Sequence, residues 1–245
     1  RLGLGDGRFG QVATTQLPPD IADGRFFSLV PADFDGDGIL DLAVGYFDCR
    51  IVFFKGLGGG KFSAAGSHEH LFIYEARAMI AGDFDGDGDM DLAGVGYYGG
   101  MVVVENRGDF FKGTTLATQN FGIRCCGGDA GAVAARLADV NVDGDPDILV
   151  GSQKGTTLYI GEPGMGFRLS PEPFAGVVAP ANALAPGDYD GDGRTDFAVS
   201  CKALACVSIL TRSASGDYGV ALSVDVPSGG LLASGDLDGD GHADL

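Results

Sequence analysis

An all-β repeat fold is what this sequence predicts, and three observations predict it. A nine-residue acidic loop occurs five times, as DFDGDGILD from Asp33, DFDGDGDMD from Asp83, DVNVDGDPD from Asp139, DYDGDGRTD from Asp188 and DLDGDGHAD from Asp236. The loop starts lie 50, 56, 49 and 48 residues apart, a period that belongs to propellers or stacked arrays of one supersecondary unit. The first four loops are each followed by a short apolar run, DLAVGY, DLAGVG, DILVGS or DFAVSC, with the length and composition of a buried strand.

The second period shows how one unit is built. Strand a is expected at Ala76–Gly82, the acidic loop follows, strand b covers Asp91–Gly96, strand c covers Met101–Asn106, and strand d begins at Phe110. The c to d turn also recurs, as GDGRF to Phe9, GGGKF to Phe62, RGDF to Phe110, GMGF to Phe167 and SGDY to Tyr218. Each is a Gly-rich turn that delivers an aromatic ring into the next strand. Four antiparallel strands per period, arranged radially, make a β-propeller blade whose sheet is buried on both faces by its neighbours. Residues 1–245 are therefore expected to form a single propeller domain, with 43 glycines for its turns and a core of Val, Leu, Ala and Phe, since Trp is absent.

The loop chemistry points to Ca2+. Positions 1, 3, 5 and 9 supply Asp33, Asp35, Asp37 and Asp41; Asp83, Asp85, Asp87 and Asp91; Asp139, Asn141, Asp143 and Asp147; Asp188, Asp190, Asp192 and Asp196; and Asp236, Asp238, Asp240 and Asp244. Four oxygen donors, with the position 7 carbonyl adding a fifth, form the flexible hard shell that Ca2+ accepts more readily than Mg2+. An EF-hand is excluded, because that loop runs to twelve residues, ends in Glu and sits between helices. Up to five ions are expected. The site at Asp139 should be the weakest, having Asn141 at position 3, Val142 where the others have Gly, and Pro146 at position 8. Positions 1, 3, 5 and 9 of these loops hold 19 of the 34 acidic residues, so much of the formal charge of −18 reads as ligand inventory. Nucleic acid is an improbable partner at this charge, since phosphate binding needs a basic surface.

The acidic loops, the D-L/I/F-A/L-V segments after them and the G-x-G-x-F turns resemble the FG-GAP/VCBS repeats, the calcium-loop propellers related to the head of integrin α chains. The resemblance extends over essentially the whole chain. It implies a seven-bladed ring of which about five repeats are visible, with a five-bladed ring closed by a displaced strand as the alternative. The chain reads as starting and stopping in mid-repeat, and the longer third spacing places an insertion near Gln119 to Asp129.

Strand order puts the calcium loops and the c to d turns on one face, and the b to c hairpins and d to a connections on the other. The second face carries Tyr46, Phe47, Asp48, His68, Glu69, His70, Tyr74, Tyr97, Tyr98, Gln153 and Lys154, together with Asp20, Asp23 and Arg25. Aromatic rings beside polar groups suit a sugar or a protein partner, and in integrin heads the resemblance makes this the ligand face. All five cysteines also fall there. Cys201 and Cys206 flank the short hairpin KALA and are expected to form a cross-strand disulfide, while Cys49 with Cys125 or Cys126 is a weaker pairing.

Arg107-Gly108-Asp109 spells an adhesion tripeptide but occupies a turn that every repeat fills with Gly and Asp. His68 and His70 lack a third metal ligand nearby. No run of apolar residues approaches the roughly 18 of a membrane span. No nucleophile elbow, zincin helix or phosphate loop is present. These features favour an extracellular, secreted or cell-surface module for adhesion or for carbohydrate or protein binding, with structural Ca2+. A structural part of an extracellular assembly, or a propeller-type polysaccharide-active enzyme, are the alternatives.

Overall fold

The computed structural model describes residues 14, 25–46, 50–68, 76–96, 101–107, 118–120, 132–152, 155–164, 166–170, 181–201, 205–226 and 230–245, and the statements below concern these. They form sixteen strands and no helix. The first sheet holds β1 (Phe26–Ala32), β2 (Asp41–Tyr46), β3 (Ile51–Gly56) and β4 (Phe62–His68). The second holds β5 (Ala76–Gly82), β6 (Asp91–Gly96), β7 (Met101–Val104) and β8 (Thr118–Asn120). The third holds β9 (Ala132–Ala138), β10 (Asp147–Ser152), β11 (Gly155–Glu162) and β12 (Gly166–Leu169). The fourth holds β13 (Ala181–Gly187), β14 (Asp196–Cys201), β15 (Cys206–Arg212) and β16 (Tyr218–Asp225).

Each sheet is antiparallel and keeps sequence order from its first strand to its fourth. The expected strands a and b of the second period coincide with β5 and β6, and strand c stops at Val104. Phe110 lies outside the described residues. So does Phe9; in the three remaining periods the aromatic after the Gly-rich turn does enter the fourth strand, with Phe62 and Tyr218 opening β4 and β16 and Phe167 second in β12.

The apolar runs are continuous because both faces of an inner sheet are covered. β6, β7 and β10 are buried along their whole length. Alternation then sorts side chains between neighbours. Leu92 joins Met79, Val102 and Val104 against Phe34 and Phe53 of the first sheet, while Ala93 and Val95 face Ile148, Val150 and Tyr159 of the third. On β10, Leu149 points the other way, to Leu184, Phe197 and Leu210 of the fourth sheet. A slip of one residue would exchange these partners, so the packing fixes the register.

The first strands of consecutive sheets, β1, β5, β9 and β13, pack against one another, so the four sheets fan out from them as neighbouring propeller blades do. The approach is close: a Cβ added to Gly82 on β5 would lie 2.8 Å from Leu137 of β9. The fan has two apolar ends. On the first sheet, Leu42, Val44, Tyr46, Phe54 and Phe62 line a recess of about 230 Å3 on the face turned away from the second sheet. On the fourth, Val220, Leu222 and Val224 of β16 are exposed, and the fifth acidic loop reaches the start of the fourth loop through a 2.9 Å bond from Ala243 N–H to the Asp188 carbonyl.

Candidate functional site: five acidic loops at one end of the sheets

All five loops fold by the same local rule. The carboxylate at position 1 accepts the N–H of the position 6 glycine at 2.7 to 3.1 Å, as Asp33 does from Gly38 and Asp236 from Gly241. Position 5 accepts the N–H of position 7 at 2.8 to 2.9 Å, as Asp87 does from Asp89 and Asp192 from Arg194. These side-chain turns require the position 6 glycines to sit at φ between 80° and 95°, where a Cβ is disfavoured. Position 4 is also left-handed in every loop. It is Gly in four of them and Val142, at φ 62°, in the third.

Position 9 does something different. Asp41, Asp91, Asp147 and Asp196 are fully buried, and each uses both oxygens to hold backbone. One oxygen accepts the N–H of loop position 2, from Phe34, Phe84, Val140 or Tyr189, at 2.7 to 3.0 Å. The other accepts an N–H from the end of the third strand or just past it, from Gly56, Asn106, Gly161 or Arg212, at 2.6 to 2.8 Å. The aspartate thus ties strand c to the loop across about fifteen residues of sequence. Burial raises the pKa of all four above the ordinary carboxylate range despite these donors, and Asp91 reaches about 7, with neighbouring Asp85 and Asp87 adding to the shift.

Carboxylate oxygens lying within 4.8 Å of one another converge in four loops: from Asp33, Asp35 and Asp37; from Asp83, Asp85 and Asp91; from Asp188, Asp190 and Asp196; and from Asp236, Asp238 and Asp244. Three hard oxygen donors converging on a glycine-turned loop fit a Ca2+ ion. Among the described residues the loop at Asp139 makes no such cluster. Its Asn141 Nδ2 donates to Asp143 Oδ2 at 2.7 Å, so an amide of the loop itself occupies an oxygen of the position 5 carboxylate.

Strand c brings charge to two of the loops. Lys55 Nζ pairs with Asp35 and lies 2.8 Å from Asp37, whose pKa it holds below the ordinary range. In the second loop the equivalent residue is Glu105, whose charge helps to raise Asp85 and whose two oxygens take 3.0 Å bonds from Arg107. Arg107, the first residue of the adhesion-like tripeptide, is therefore engaged within its own hairpin, and Gly108 and Asp109 lie outside the described residues. In the fourth loop Arg194 pairs with Asp192 and donates to the Arg212 carbonyl at 2.9 Å. The sequence reading did not single out Lys55 or Glu105. Their signal was a charged residue closing an otherwise apolar strand.

An FG-GAP-like repeat profile matches residues 1–44, 33–94, 83–150 and 139–199. The chain belongs to the FG-GAP repeat family. No curated protein sequence matches it closely enough to count as a relative. Solved structures similar to this FG-GAP chain are β-propellers. One is a lectin of Agrocybe aegerita described for its recognition of non-reducing terminal N-acetylglucosamine, at 20% identity and TM-score 0.57, covering 87% of this chain and 58% of the lectin. Another is BBS1N, solved in complex with ARL6DN, at 12% and 0.54, covering 81% and 56%. A third, from Lactobacillus plantarum, aligns at 17% and 0.55, covering 88% and 60%. The chain thus spans less than two thirds of the length of each, and at these identities the likeness concerns the fold.

At the other end of the FG-GAP sheets, the expected ligand residues are only partly in view. Tyr46 does not belong on an exposed face: it is 1% exposed, packed with Val44, Val52 and Phe54. As the last residue of β2 it pairs with Phe26 of β1, and alternation sends its ring into the apolar layer of the first sheet. His68 ends β4 opposite Ile51. Arg25 is exposed. Phe47, Asp48, Glu69, His70, Tyr74, Tyr97, Tyr98, Gln153, Lys154, Asp20, Asp23, Cys49, Cys125 and Cys126 lie outside the described residues. So does most of the stretch expected to hold the insertion. Cys201 and Cys206 stand directly opposite each other in the β14–β15 register, and Cys206 is a buried, free thiol. No helix among the described residues is long and apolar enough to cross a membrane.

Proposed function

We propose that this chain is an extracellular calcium-binding propeller module for adhesion or ligand binding, its ions structural, its ligand a carbohydrate or protein held on the face opposite the acidic loops. The observation that carries the calcium part is the fourfold convergence of carboxylate oxygens within 4.8 Å, on the loops of the first, second and fourth sheets and on the fifth loop. Millimolar extracellular Ca2+ suits sites of modest affinity built on such loops. Bound there, Ca2+ supplies positive charge that the buried position 9 aspartates lack. The loops themselves hold the ends of strands a, b and c together, so the ions would stiffen the end of each sheet without meeting the ligand. The ligand part is supported by similar propellers described for a terminal sugar and for a protein partner.

In an oxidising compartment Cys201 and Cys206 would close the β14–β15 hairpin, and alkylation with mass spectrometry of secreted protein tests the pair. A glycan array that includes N-acetylglucosamine-terminated chains, run beside a pull-down and repeated in EDTA, tests the module. Binding lost in EDTA and regained with Ca2+ is the expected result. Calcium-loaded protein that captures neither glycan nor protein counts against a ligand-binding module, and turnover of an acidic polysaccharide would replace it with an enzyme.

A further inference from the structure

We propose that the Lys55 ammonium is a built-in counter-ion of the first loop, seated among the carboxylates that would otherwise hold Ca2+, so that this loop loads last of the four whose carboxylates converge and stays ordered when calcium is scarce. The inference rests on the calcium reading of the loops. Lys55 immediately precedes Gly56, whose N–H donates to the buried Asp41 at 2.7 Å, so the backbone that braces the loop also aims the lysine at it. Its Nζ bonds Asp35 Oδ2 and Asp37 Oδ2, from two of the three residues whose oxygens converge there. An ammonium is a compact cation with three donors, and it draws together carboxylates that would otherwise repel. A divalent ion entering the loop has to displace it or bind beside a like charge.

Among the described residues, only the first loop has a strand c ammonium on its converging carboxylates; the fourth loop's Arg194 pairs with Asp192, which is outside its converging set. At the corresponding place in strand c the other sheets have Glu105, Ile160 and Thr211. The second loop therefore meets a carboxylate where the first meets an ammonium. The third and fourth meet no charge from this position.

The test is a calorimetric Ca2+ titration of the full chain stripped of metal, with Lys55→Met beside Lys61→Met. Lys61 lies in the turn between β3 and β4 of the same sheet, so its loss controls for overall charge. Lys55→Met is expected to tighten one site about 10-fold or more, because a unit charge a few ångströms from the ion has gone. It is also expected to lower the melting temperature in EDTA. Lys61→Met should do neither. Adding Asp33→Asn to Lys55→Met should abolish the tightened site, which assigns it to the first loop. Wild-type protein that binds Ca2+ with an isotherm unchanged by Lys55→Met overturns the counter-ion and leaves the calcium reading standing. Absence of binding in both overturns the calcium reading itself. Lys55→Gln repeats the comparison if the methionine variant does not fold.

Discussion

The loops at Asp33 and Asp83 are identical at seven of nine positions, and the equivalent residues following or closing their third strands, Lys55 and Glu105, have opposite sign. Both use the position 9 aspartate to grip strand c, through Gly56 in one and Asn106 in the other. One residue earlier on that strand stands Lys55 in the first and Glu105 in the second. The motif sets where a cation can sit, while a residue some twenty positions away on the third strand sets how much charge the seat already holds. Repeats that look equivalent in sequence are therefore unequal sites.

The largest effect on this comparison should come from removing calcium altogether. Each ion that binds only the folded chain adds about 2.7 kcal/mol at a hundredfold excess over its Kd. EDTA is therefore expected to lower the melting temperature by well over ten degrees, and a chain indifferent to EDTA would remove the metal from both loops. Next in size is Asp91→Ala, which leaves the N–H groups of Phe84 and Asn106 without their acceptor in a buried place. Denaturant unfolding in EDTA should show a loss of about 3 kcal/mol, from roughly 1–3 kcal/mol per buried group left unpaired. Asp83→Ala, whose partners are exposed, should lose less under the same conditions. Equal losses would mean that position 9 is no brace.

Acid should separate the metal-free and loaded states by sign. The folded pKa of Asp91 is about 7 against 3.8 for an ordinary aspartate, and Asp41, Asp147 and Asp196 are displaced the same way by burial. A raised carboxylate pKa favours the folded state while the group is protonated, and that advantage is lost as pH rises from about 3.8 through about 7. In EDTA, stability should therefore climb as pH falls across that window. With Ca2+ it should fall, since the ligands must be ionised to hold the ion. Melting curves from pH 7.5 to 4.5 with and without calcium check both slopes, and parallel slopes would contradict the scheme. A smaller effect is expected of Glu105→Lys, which gives the second loop the charge of the first. Calorimetry should find one site weakened by about 10-fold.

Much of this was legible in the sequence, and the parts that were not share a cause. The end of β5 at Gly82 and the start of β6 at Asp91 are legible because the acidic loop between them bounds both runs. The five glycine-turned loops were equally plain, each carrying its own turn chemistry. Tyr46 is buried although a hydroxyl beside a hairpin suggests the surface, because its place in the β1–β2 register, opposite Phe26, decides which way the ring points. Lys55 was passed over because its meaning depends on register, which sets a residue eighteen positions from Asp37 against the loop. The brace formed by Asp41 and its equivalents was hidden for a further reason: a ligand and a backbone acceptor require the same side chain.

The third loop offers the finest test, since its defects are local and reversible. Val142 holds φ 62° with a branched side chain that is 69% exposed, so no packing evident there offsets the strain. Val142→Gly gives that backbone the residue found in the other four loops. It is expected to add about 1 kcal/mol in EDTA, the low end of the cost of a left-handed non-glycine residue, less the entropy a glycine loses on folding. Asn141→Asp acts on charge instead: the amide that donates to Asp143 at 2.7 Å becomes an acceptor, and Asp143 is released toward the ion. The two changes should differ in kind, the first raising metal-free stability with little calcium dependence, the second lowering it while adding a calcium-binding event. If Val142→Gly alone restored binding, backbone strain and not donor chemistry would be what sets the third loop apart.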